Sequence, residues 1–306
     1  AEMFSVSEGT WGYKFRLRDA ESYRVKRWLS AKDLYVYGYY NNDWADDTLK
    51  ITSIDPESST MLTYGTSVFG MRTGGDIRFL NLLEELDMPG EFYIDRKQDI
   101  LYYYPKNSLK NISLMCTESP VICLSGADNV TFSGITFSGT RGDGVIIENS
   151  ADNNSFIDCE FRNIGRKAVL INNSKENLIS DCHIHEIGKG GIQINSGNKN
   201  LEVCNNRIEN SLIENFTVIG KRYCAGIELF GVGDTVSGNT IRHSAHAGIR
   251  FSGNCNVIEK NDIYNVLMDS HDAGAIYSFR SWLSGGTVIR DNYIHDCADG
   301  VGIYMD

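Results

Sequence analysis

Three carboxylates in the second half of the chain are of the residue type that cleaves glycosidic bonds. Such a bond is cut by two carboxyl groups that flank it, roughly 5–9.5 Å apart depending on the stereochemistry. Glu228 lies in a short apolar run, Asp272 lies in the segment 270–277, and Asp306 follows Gly-Ile-Tyr-Met. We predict Asp272 and Asp306 as the acid and the base or nucleophile, with Glu228 as the third candidate.

Polar side chains near these carboxylates could bind the hydroxyl groups of a sugar. We predict this substrate-binding role for Gln193, Arg250, His246, Tyr304 and Tyr277. Other roles stay open at some of these positions. Asp272 could cap a turn, and His246 could be a turn residue. Glu228 and Arg250 could form an ion pair between coils, which adds little stability where it is exposed.

A repeat with a period in the low twenties must position these residues. Its apolar anchors lie 24, 23, 24, 33, 22 and 31 residues apart: Phe137, Phe161, Ile184, Ile208, Ile241, Ile263 and Ile294. A second apolar run follows each anchor and opens on glycine or alanine. Short strands at such a period, without a helical pattern, predict a solenoid whose stacked coils share one core. We predict an all-β fold, a right-handed parallel β-helix of about seven or eight coils.

The position two residues before each anchor predicts an internal ladder. It contains Ile135, Cys159, Cys182, Asn206, Asn239, Asn261 and Asn292. Stacked asparagines can pass hydrogen bonds from coil to coil, and apolar residues can occupy the same place in earlier coils. Cys159 and Cys182 would be close enough to bridge, but we interpret both as small buried residues of the ladder.

One column of the second strands should point away from the core. Aligned on the leading small residue, it reads Ile146, Leu170, Gln193, Glu228, Arg250, Ile276 and Tyr304. Strands of a sheet are about 4.8 Å apart, so neighbours in this column should touch. Two insertions, around 211–223 and 266–283, should rim one groove because insertions in repeat proteins collect on one face. Asp272 and Asp306 fall at opposite ends of their strands, so the loop at 271–273 would have to curve inward.

Residues 1–110 do not carry the repeat and should form a β-rich accessory module, with the β-helix over 111–306. Alternation and turn residues predict strands at 34–40, 49–54, 60–64, 91–95 and 100–104. One helix is predicted at 79–86, with Asn81 as its cap. The many tryptophans and tyrosines could stack on sugar rings, but a small β module also needs aromatic residues for its core.

Composition disfavours several classes of partner. The net charge is −11 without a basic cluster, which argues against nucleic acid and anionic membranes. An acidic polysaccharide would be mildly repelled, although one basic groove could override the net charge. No apolar run reaches about eighteen residues, so we predict no membrane insertion. The remaining cysteines lack metal-binding spacing, and we predict no metal.

Several segments resemble bacterial right-handed β-helix enzymes that act on carbohydrates. The resemblance rests on residues 81–95 with 101–105, 272–277, 292–296 and 302–306. These enzymes include glycoside hydrolase families 120 and 141, which act on xylosides, fucosides and other plant-glycan linkages. The resemblance implies a glycosidase with catalytic carboxylates in or near the Asp272 and Asp306 motifs. A glycan would be the partner, no cofactor would be needed, and the location would be secreted, periplasmic or at the cell surface.

Two other functions stay open. A polysaccharide lyase or epimerase would need Ca²⁺ or a Lys/Arg cluster beside a uronate carboxylate, and the sequence offers Arg250 and Lys189 but no dense aspartate cluster. A non-catalytic carbohydrate-binding β-helix is the other alternative. Relatives usually carry a further N-terminal segment and continue past the last motif. We therefore expect a fragment or one part of an assembly, with possible self-association through an uncapped end, and a fragment could be inactive.

Overall fold

The computed structural model describes residues 2–7, 10–17, 22–108, 112–197, 200–281, 284–298 and 300–306. The chain divides into two compact units, Ala1–Ser113 and Leu114–Asp306, where the sequence predicts a boundary at 110. In the described part of the chain, no helix is long and apolar enough to cross a membrane.

The N-terminal unit is built from short antiparallel strands. They are β1 Glu2–Ser7, β2 Thr10–Arg16, β3 Tyr35–Tyr39, β4 Asp46–Asp55, β5 Thr60–Tyr64, β6 Ile77–Leu80, β7 Phe92–Asp95 and β8 Ile100–Tyr103. The first six form one sheet in the order β1-β2-β5-β4-β3-β6, and β7 pairs with β8. A helix α1 (Ser22–Val25) and 3-10 turns at Lys26–Trp28 and Leu83–Glu85 lie between strands. All the strands predicted in this module are confirmed.

The helix predicted at 79–86 is wrong. Residues Ile77–Leu80 form β6, which pairs with β3, and only a 3-10 turn follows. Asn81 does not cap a helix. It adopts a φ of 61°, and its side-chain oxygen accepts a hydrogen bond from the amide of Ile94 at 2.9 Å. Pairing with a neighbouring strand has overridden a leucine spacing that locally resembles a helix.

Aromatic residues of this unit occupy both its core and its surface. Trp28 and Tyr40 are buried among the apolar residues of the core, and the Trp28 and Phe79 rings lie 4.7 Å apart. Trp11, by contrast, is 55% exposed. Some of the aromatic residues therefore form the core of this unit, as one interpretation predicted. That the exposed aromatic residues stack on sugar rings stays a prediction.

In the described part of the C-terminal unit, seven coils each contribute one strand to each of three parallel sheets, and the third sheet has an additional first strand. The first sheet contains β10 Thr131–Ser133, β13 Ser155–Ile157, β16 Leu178–Ser180, β19 Arg207–Glu209, β22 Thr235–Ser237, β25 Val257–Glu259 and β28 Val288–Arg290. The second contains β11 Thr136–Thr140, β14 Glu160–Ile164, β17 His183–Ile187, β20 Leu212–Glu214, β23 Thr240–Arg242, β26 Asp262–Tyr264 and β29 Tyr293–His295. The third, the groove sheet, contains β9 Ile122–Ser125, β12 Val145–Glu148, β15 Val169–Asn172, β18 Ile192–Asn195, β21 Ile227–Leu229, β24 Ile249–Phe251, β27 Gly274–Ser278 and β30 Val301–Met305.

A left-handed residue turns the chain between the first and second sheets in every coil. These residues have φ between 49° and 70°: Gly134, Asp158, Asp181, Asn210, Gly238, Lys260 and Asp291. Glycine, asparagine and aspartate adopt this backbone conformation more readily than other residues. The turn therefore favours Gly, Asp or Asn at this position of the repeat, and Lys260 is the exception in this set.

The apolar anchors stack along the second sheet and form the core. In register they are Phe137, Phe161, Ile184, Ile213, Ile241, Ile263 and Ile294. The predicted anchor Ile208 is wrong, because Ile208 lies in β19 of the first sheet. Ile213 in β20 takes its place. The segments Arg207-Ile-Glu and Leu212-Ile-Glu are so alike that local pattern does not distinguish the two strands.

The internal ladder shifts accordingly in the fourth coil. Ser211, not Asn206, follows Cys182, and the Ser211 amide donates to Asn239 Oδ1 at 3.0 Å. Cys159 and Cys182 are buried free thiols of this ladder. The Cys182 thiol lies 3.4 Å from the carbonyl oxygen of Phe156.

A second ladder runs before the strands of the first sheet, and the sequence analysis did not identify it. It contains Asn154, Asn177, Asn206, Asp234 and Asn256. Its amide side chains hydrogen-bond from coil to coil, as Asn177 Nδ2 does to Asn206 Oδ1 at 3.1 Å. Most of the polar groups buried between the coils therefore have a hydrogen-bond partner.

Candidate functional site

One row of side chains crosses the groove sheet. In register it reads Leu170, Gln193, Glu228, Arg250, Tyr277 and Tyr304. Parallel strands about 4.8 Å apart place neighbours of this row in contact range. The predicted column needs one correction, because Ile276 is fully buried in the core and Tyr277 takes its place. The register pairs Ile249 with Ile276, so Ala275 rather than Gly274 is the leading small residue of that strand.

Glu228, at the centre of the row, is buried and carries two ion pairs. It is 3% exposed, and Arg250 is 5% exposed. Arg250 Nη1 donates to Oε1 at 2.7 Å, and Lys167 Nζ donates to Oε2 at 2.5 Å. Gly190 leaves the space for Lys167, because a Cβ there would lie 2.6 Å from Nζ. The ion pair considered for Glu228 and Arg250 is present, but it is buried, and both carboxylate oxygens are taken.

Aromatic rings surround the guanidinium of Arg250. Its central carbon lies 4.4 Å from the ring centre of Phe279, 5.0 Å from that of Tyr223 and 5.8 Å from that of Phe230. Cations are attracted to aromatic faces, more strongly where water is excluded. Burial lowers the pKa of Arg250, and the Glu228 carboxylate partly opposes this effect. The buried Nε of Arg250 has no hydrogen-bond partner among the described residues.

Two tyrosines hold the two predicted catalytic aspartates. The Tyr277 hydroxyl donates to Asp306 Oδ2 at 2.9 Å, and the Tyr304 hydroxyl lies 3.4 Å from Asp272 Oδ1. The two tyrosine rings are neighbours, with centres 5.6 Å apart. Asp272 precedes the start of β27, and Asp306 follows the end of β30. The aspartates therefore lie at opposite ends of two adjacent strands, with the tyrosine pair between them.

The environments of the two aspartates differ. Arg280 Nε donates to Asp306 Oδ1 at 2.8 Å. The hydrogen bonds from Arg280 and Tyr277 lower the pKa of Asp306, so this carboxyl group stays ionised into acidic solution. Asp272 is exposed and has a φ of 50°.

His246 lies beneath the surface of the groove. It is 1% exposed, and its ring stands edge-on to Tyr223 with centres 5.9 Å apart. Burial and, to a smaller extent, the nearby Arg250 lower the pKa of His246 to about 3. The imidazole is therefore neutral at physiological pH. The structure does not bring it to the surface, where a sugar hydroxyl would bind.

Two cavities open along the groove sheet. One of about 410 Å³ lies beside Glu228 and Gln193 and is walled by Tyr223 and Phe230. The other, of about 560 Å³, lies beside Asp306 and is lined by Phe279 and other residues of the last coil. Phe279 contacts both Arg250 and Tyr277, with the Tyr277 ring centre 5.5 Å away. Phe279 therefore links the buried ion cluster to the tyrosine pair.

Sequence reasoning missed three residues of this site: Lys167, Tyr223 and Phe279. Tyr223 lies in the predicted insertion at 211–223, of which Leu212–Glu214 instead forms β20, so the sequence did indicate the position of Tyr223 beside the groove. Lys167 comes just before a strand of the groove sheet, as Lys189 does, so its position in the repeat could be recognised from the sequence. The contact between Lys167 and Glu228 joins residues 61 apart in sequence, so no local pattern predicts it.

One group among the described residues has metal-binding donors. One ligand atom each from Glu160, His183 and His185 lies within 4.8 Å of the others. The group is on the second sheet rather than in the groove. Both imidazoles already hydrogen-bond to carboxylates, His183 to Glu214 and His185 to Glu160.

Comparison with known proteins gives the class of this fold. Residues 100–220 and 225–306 match the family described as right handed beta helix region. The chain belongs to this right-handed β-helix family, and the predicted fold is confirmed. No curated protein matches the sequence.

Two solved structures are similar to this chain to different degrees. One described as a glycoside hydrolase matches with a TM-score of 0.74 and 16% identity, over 96% of this chain and 66% of that one. The chain thus spans slightly less than two thirds of that protein, and a likeness at this identity shows the fold. An alginate lyase from Paenibacillus sp. str. FPU-7 matches with a TM-score of 0.40 and 12% identity, over 61% of this chain and 77% of that one. The narrower resemblance to glycoside hydrolase families 120 and 141 stays a prediction.

Proposed function

We propose that this protein is a carbohydrate-active enzyme that hydrolyses glycosidic bonds in the groove, outside the cell or at its surface. The observation that carries the proposal is the pair of aspartates held by adjacent tyrosines, Tyr277 and Tyr304, at the end of a polar row. Because the aspartates lie at opposite ends of two strands, the proposal requires the loop at 271–273 to bring their carboxyl groups within roughly 9.5 Å of each other. The family and the glycoside hydrolase of similar fold support it. Hydrolysis by two carboxyl groups needs no cofactor.

The contacts of each carboxylate suggest its role. Asp306, kept ionised by Arg280 and Tyr277, would act as the base or nucleophile. Asp272, with one long contact to Tyr304, would take the other role and act as the acid toward the leaving group. Both carboxylate oxygens of Glu228 already accept hydrogen bonds, so Glu228 would position Arg250 and Lys167. As a catalytic residue it therefore ranks third, after the two aspartates.

Other members of the row would bind the glycan. Gln193, Tyr277 and Tyr304 offer amide and hydroxyl groups to sugar hydroxyls. Tyr223 and Phe279 offer aromatic faces, whose apolar surface suits the face of a sugar ring. Arg250 lies among these rings and would contribute a desolvated cation to the same surface.

The test is cleavage of a panel of plant and bacterial glycans by the wild-type chain and by Asp272→Asn and Asp306→Asn. Loss of an acid or base typically costs about 10²- to 10⁴-fold in rate, and we expect kcat to fall by at least about 100-fold in each variant. Asp291→Asn is the matched control, because Asp291 is an exposed residue in the turn between the first and second sheets and not in the groove sheet. Circular dichroism should show an unchanged fold. Full activity in both groove variants would refute the assignment.

A further inference from the structure

The cavity beside Glu228 is positively charged in a strongly acidic protein. Four cationic residues line it, namely Arg166, Lys167, Lys189 and Arg250, against the two carboxylates Asp143 and Glu228. Four positive and two negative charges leave an excess of two positive charges, whereas the whole chain carries −11. Clefts lined by one sign of charge concentrate ligands of the opposite sign.

Both carboxylates of the cavity are already engaged. Glu228 holds Lys167 and Arg250. Asp143 is buried, accepts a hydrogen bond from the backbone amide of Lys167 at 3.0 Å, and lies 3.7 Å from Arg166 Nε. Within the described part of the chain, Lys189 has no carboxylate partner, and its side chain is exposed at the cavity. Lys189 is therefore the cation left available to a ligand.

The remaining wall also suits an anionic sugar. Arg250 is 5% exposed, lines the cavity, and has a buried Nε without a hydrogen-bond partner among the described residues. Tyr223 and Phe230 supply aromatic faces, and the amides of Gln193 and Asn195 supply hydrogen-bonding groups. An apolar wall with a few convergent polar groups is the usual composition of a ligand site.

We propose that this cavity is a subsite for a sugar unit with an anionic substituent, such as a uronate carboxylate or a sulfate ester, and that Lys189 contacts that substituent. The inference rests on the proposed function, because it names the substrate class of the same groove. Three strand spacings of about 4.8 Å separate Glu228 in β21 from Tyr304 in β30. The anionic unit would therefore bind some sugar units away from the tyrosine pair.

Calorimetric titration of the chain tests this inference directly. The probes are uronate trisaccharides, sulfated trisaccharides and the neutral trisaccharides of the same linkage, at low and high salt. We expect at least one anionic class to bind about tenfold more tightly than its neutral counterpart at low salt, and to lose that preference at high salt, since screening weakens exposed charge pairs. The class that shows the preference identifies the substituent.

Variants locate the effect. Lys189→Ala should weaken binding of the preferred anionic sugar about five- to tenfold and leave the neutral sugar unchanged. Lys175→Ala removes a lysine that is also exposed but lies outside the cavity, and it should change neither affinity. Equal affinity for charged and neutral sugars, or an equal effect of Lys189→Ala on both, would overturn the inference.

The outcomes also separate this inference from the proposed hydrolysis. Cleavage of neutral glycans without any preference for charge would leave the hydrolase standing and remove the anionic subsite. Lys189-dependent binding of a uronate, with an unsaturated product detected by its ultraviolet absorbance, would keep the subsite and replace hydrolysis by elimination.

Discussion

Asp234 is a carboxylic acid in a ladder of asparagines, and its replacement by asparagine should stabilise the protein at neutral pH. Asp234 is fully buried. Its Oδ1 accepts hydrogen bonds from both the backbone amide and the side-chain amide of Asn206, at 3.0 and 2.9 Å. Its Oδ2 has no partner among the described residues. Asn177, one rung before Asn206, donates its side-chain NH₂ to the next rung, which an ionised aspartate cannot do.

The size of the effect follows from the pKa of this group. Burial raises the pKa of Asp234 from its ordinary 3.8 to about 7, against the opposing hydrogen bonds from Asn206. The pKa of Asp234 is higher in the folded state than in the unfolded state. Its protonation therefore stabilises the folded state fully below about pH 4, and this contribution is lost as the pH rises to about 7. Three pKa units at about 1.4 kcal/mol each give a loss of about 4 kcal/mol. Asp234→Asn removes that loss and restores one hydrogen-bond donor, which adds about 1 kcal/mol.

Urea denaturation of the wild type and Asp234→Asn between pH 4.5 and 8 measures the effect. The stability gap should widen by about 1.4 kcal/mol per pH unit up to pH 7 and then level off. Asn177→Asp, which creates the same carboxylate two rungs earlier, should show the reverse trend. The buried His246 titrates in both proteins, so its contribution cancels in the difference. A gap that does not change with pH, or a less stable Asp234→Asn at pH 8, would refute the reasoning.

Two further substitutions test the packing of the β-helix by the same denaturation assay. Arg250→Ala leaves the buried Glu228 with Lys167 alone and should cost about 3–5 kcal/mol, because an incompletely paired carboxylate is expensive to bury. An unchanged stability would mean that water enters the cluster. Ile213→Ala should cost about 2–5 kcal/mol as a core anchor, whereas Leu212→Ala, on the half-exposed face of the same strand, should cost clearly less; equal costs would contradict the observed register.

The β-helix was predictable because every coil repeats the same local requirements. A left-handed residue such as Asp158 or Gly238 makes the turn, and an inward anchor such as Phe161 follows it after a fixed spacing. These requirements are local in sequence. The period, the anchors and the outward column can therefore be read without a structure, apart from the coils that carry insertions.

The fourth coil shows where this reading fails. Asn206 and Ser211 both precede a short strand with a central isoleucine, and asparagine is the commoner ladder residue, so the pattern favoured the wrong one. The structure places Ser211 in the predicted ladder and Asn206 in the second ladder. Only the packing of β19 and β20 into different sheets distinguishes them.

The site could be predicted only where it follows the register. Gln193, Glu228 and Arg250 were identified because they share one face of consecutive strands. The second cation on Glu228 comes from Lys167, which reaches across an intervening strand. The rings around Arg250 come from loops, whose course is not periodic. Long side chains and loop conformations depend on the folded coils, so no local pattern encodes these contacts.

The ion cluster of Lys167, Glu228 and Arg250 is not explained by the stability of the fold. Burying charges costs desolvation free energy, and apolar residues of similar volume often serve as well or better. Earlier coils confirm that the sheet does not need charges in this row, since Ile146 and Leu170 occupy it in register. The change to charged residues coincides with the two cavities and with the rim residue Tyr223. A costly cluster that is dispensable for the fold and borders the groove is best explained by ligand binding, which is why Lys189 and the tyrosine-held aspartates are the positions to test first.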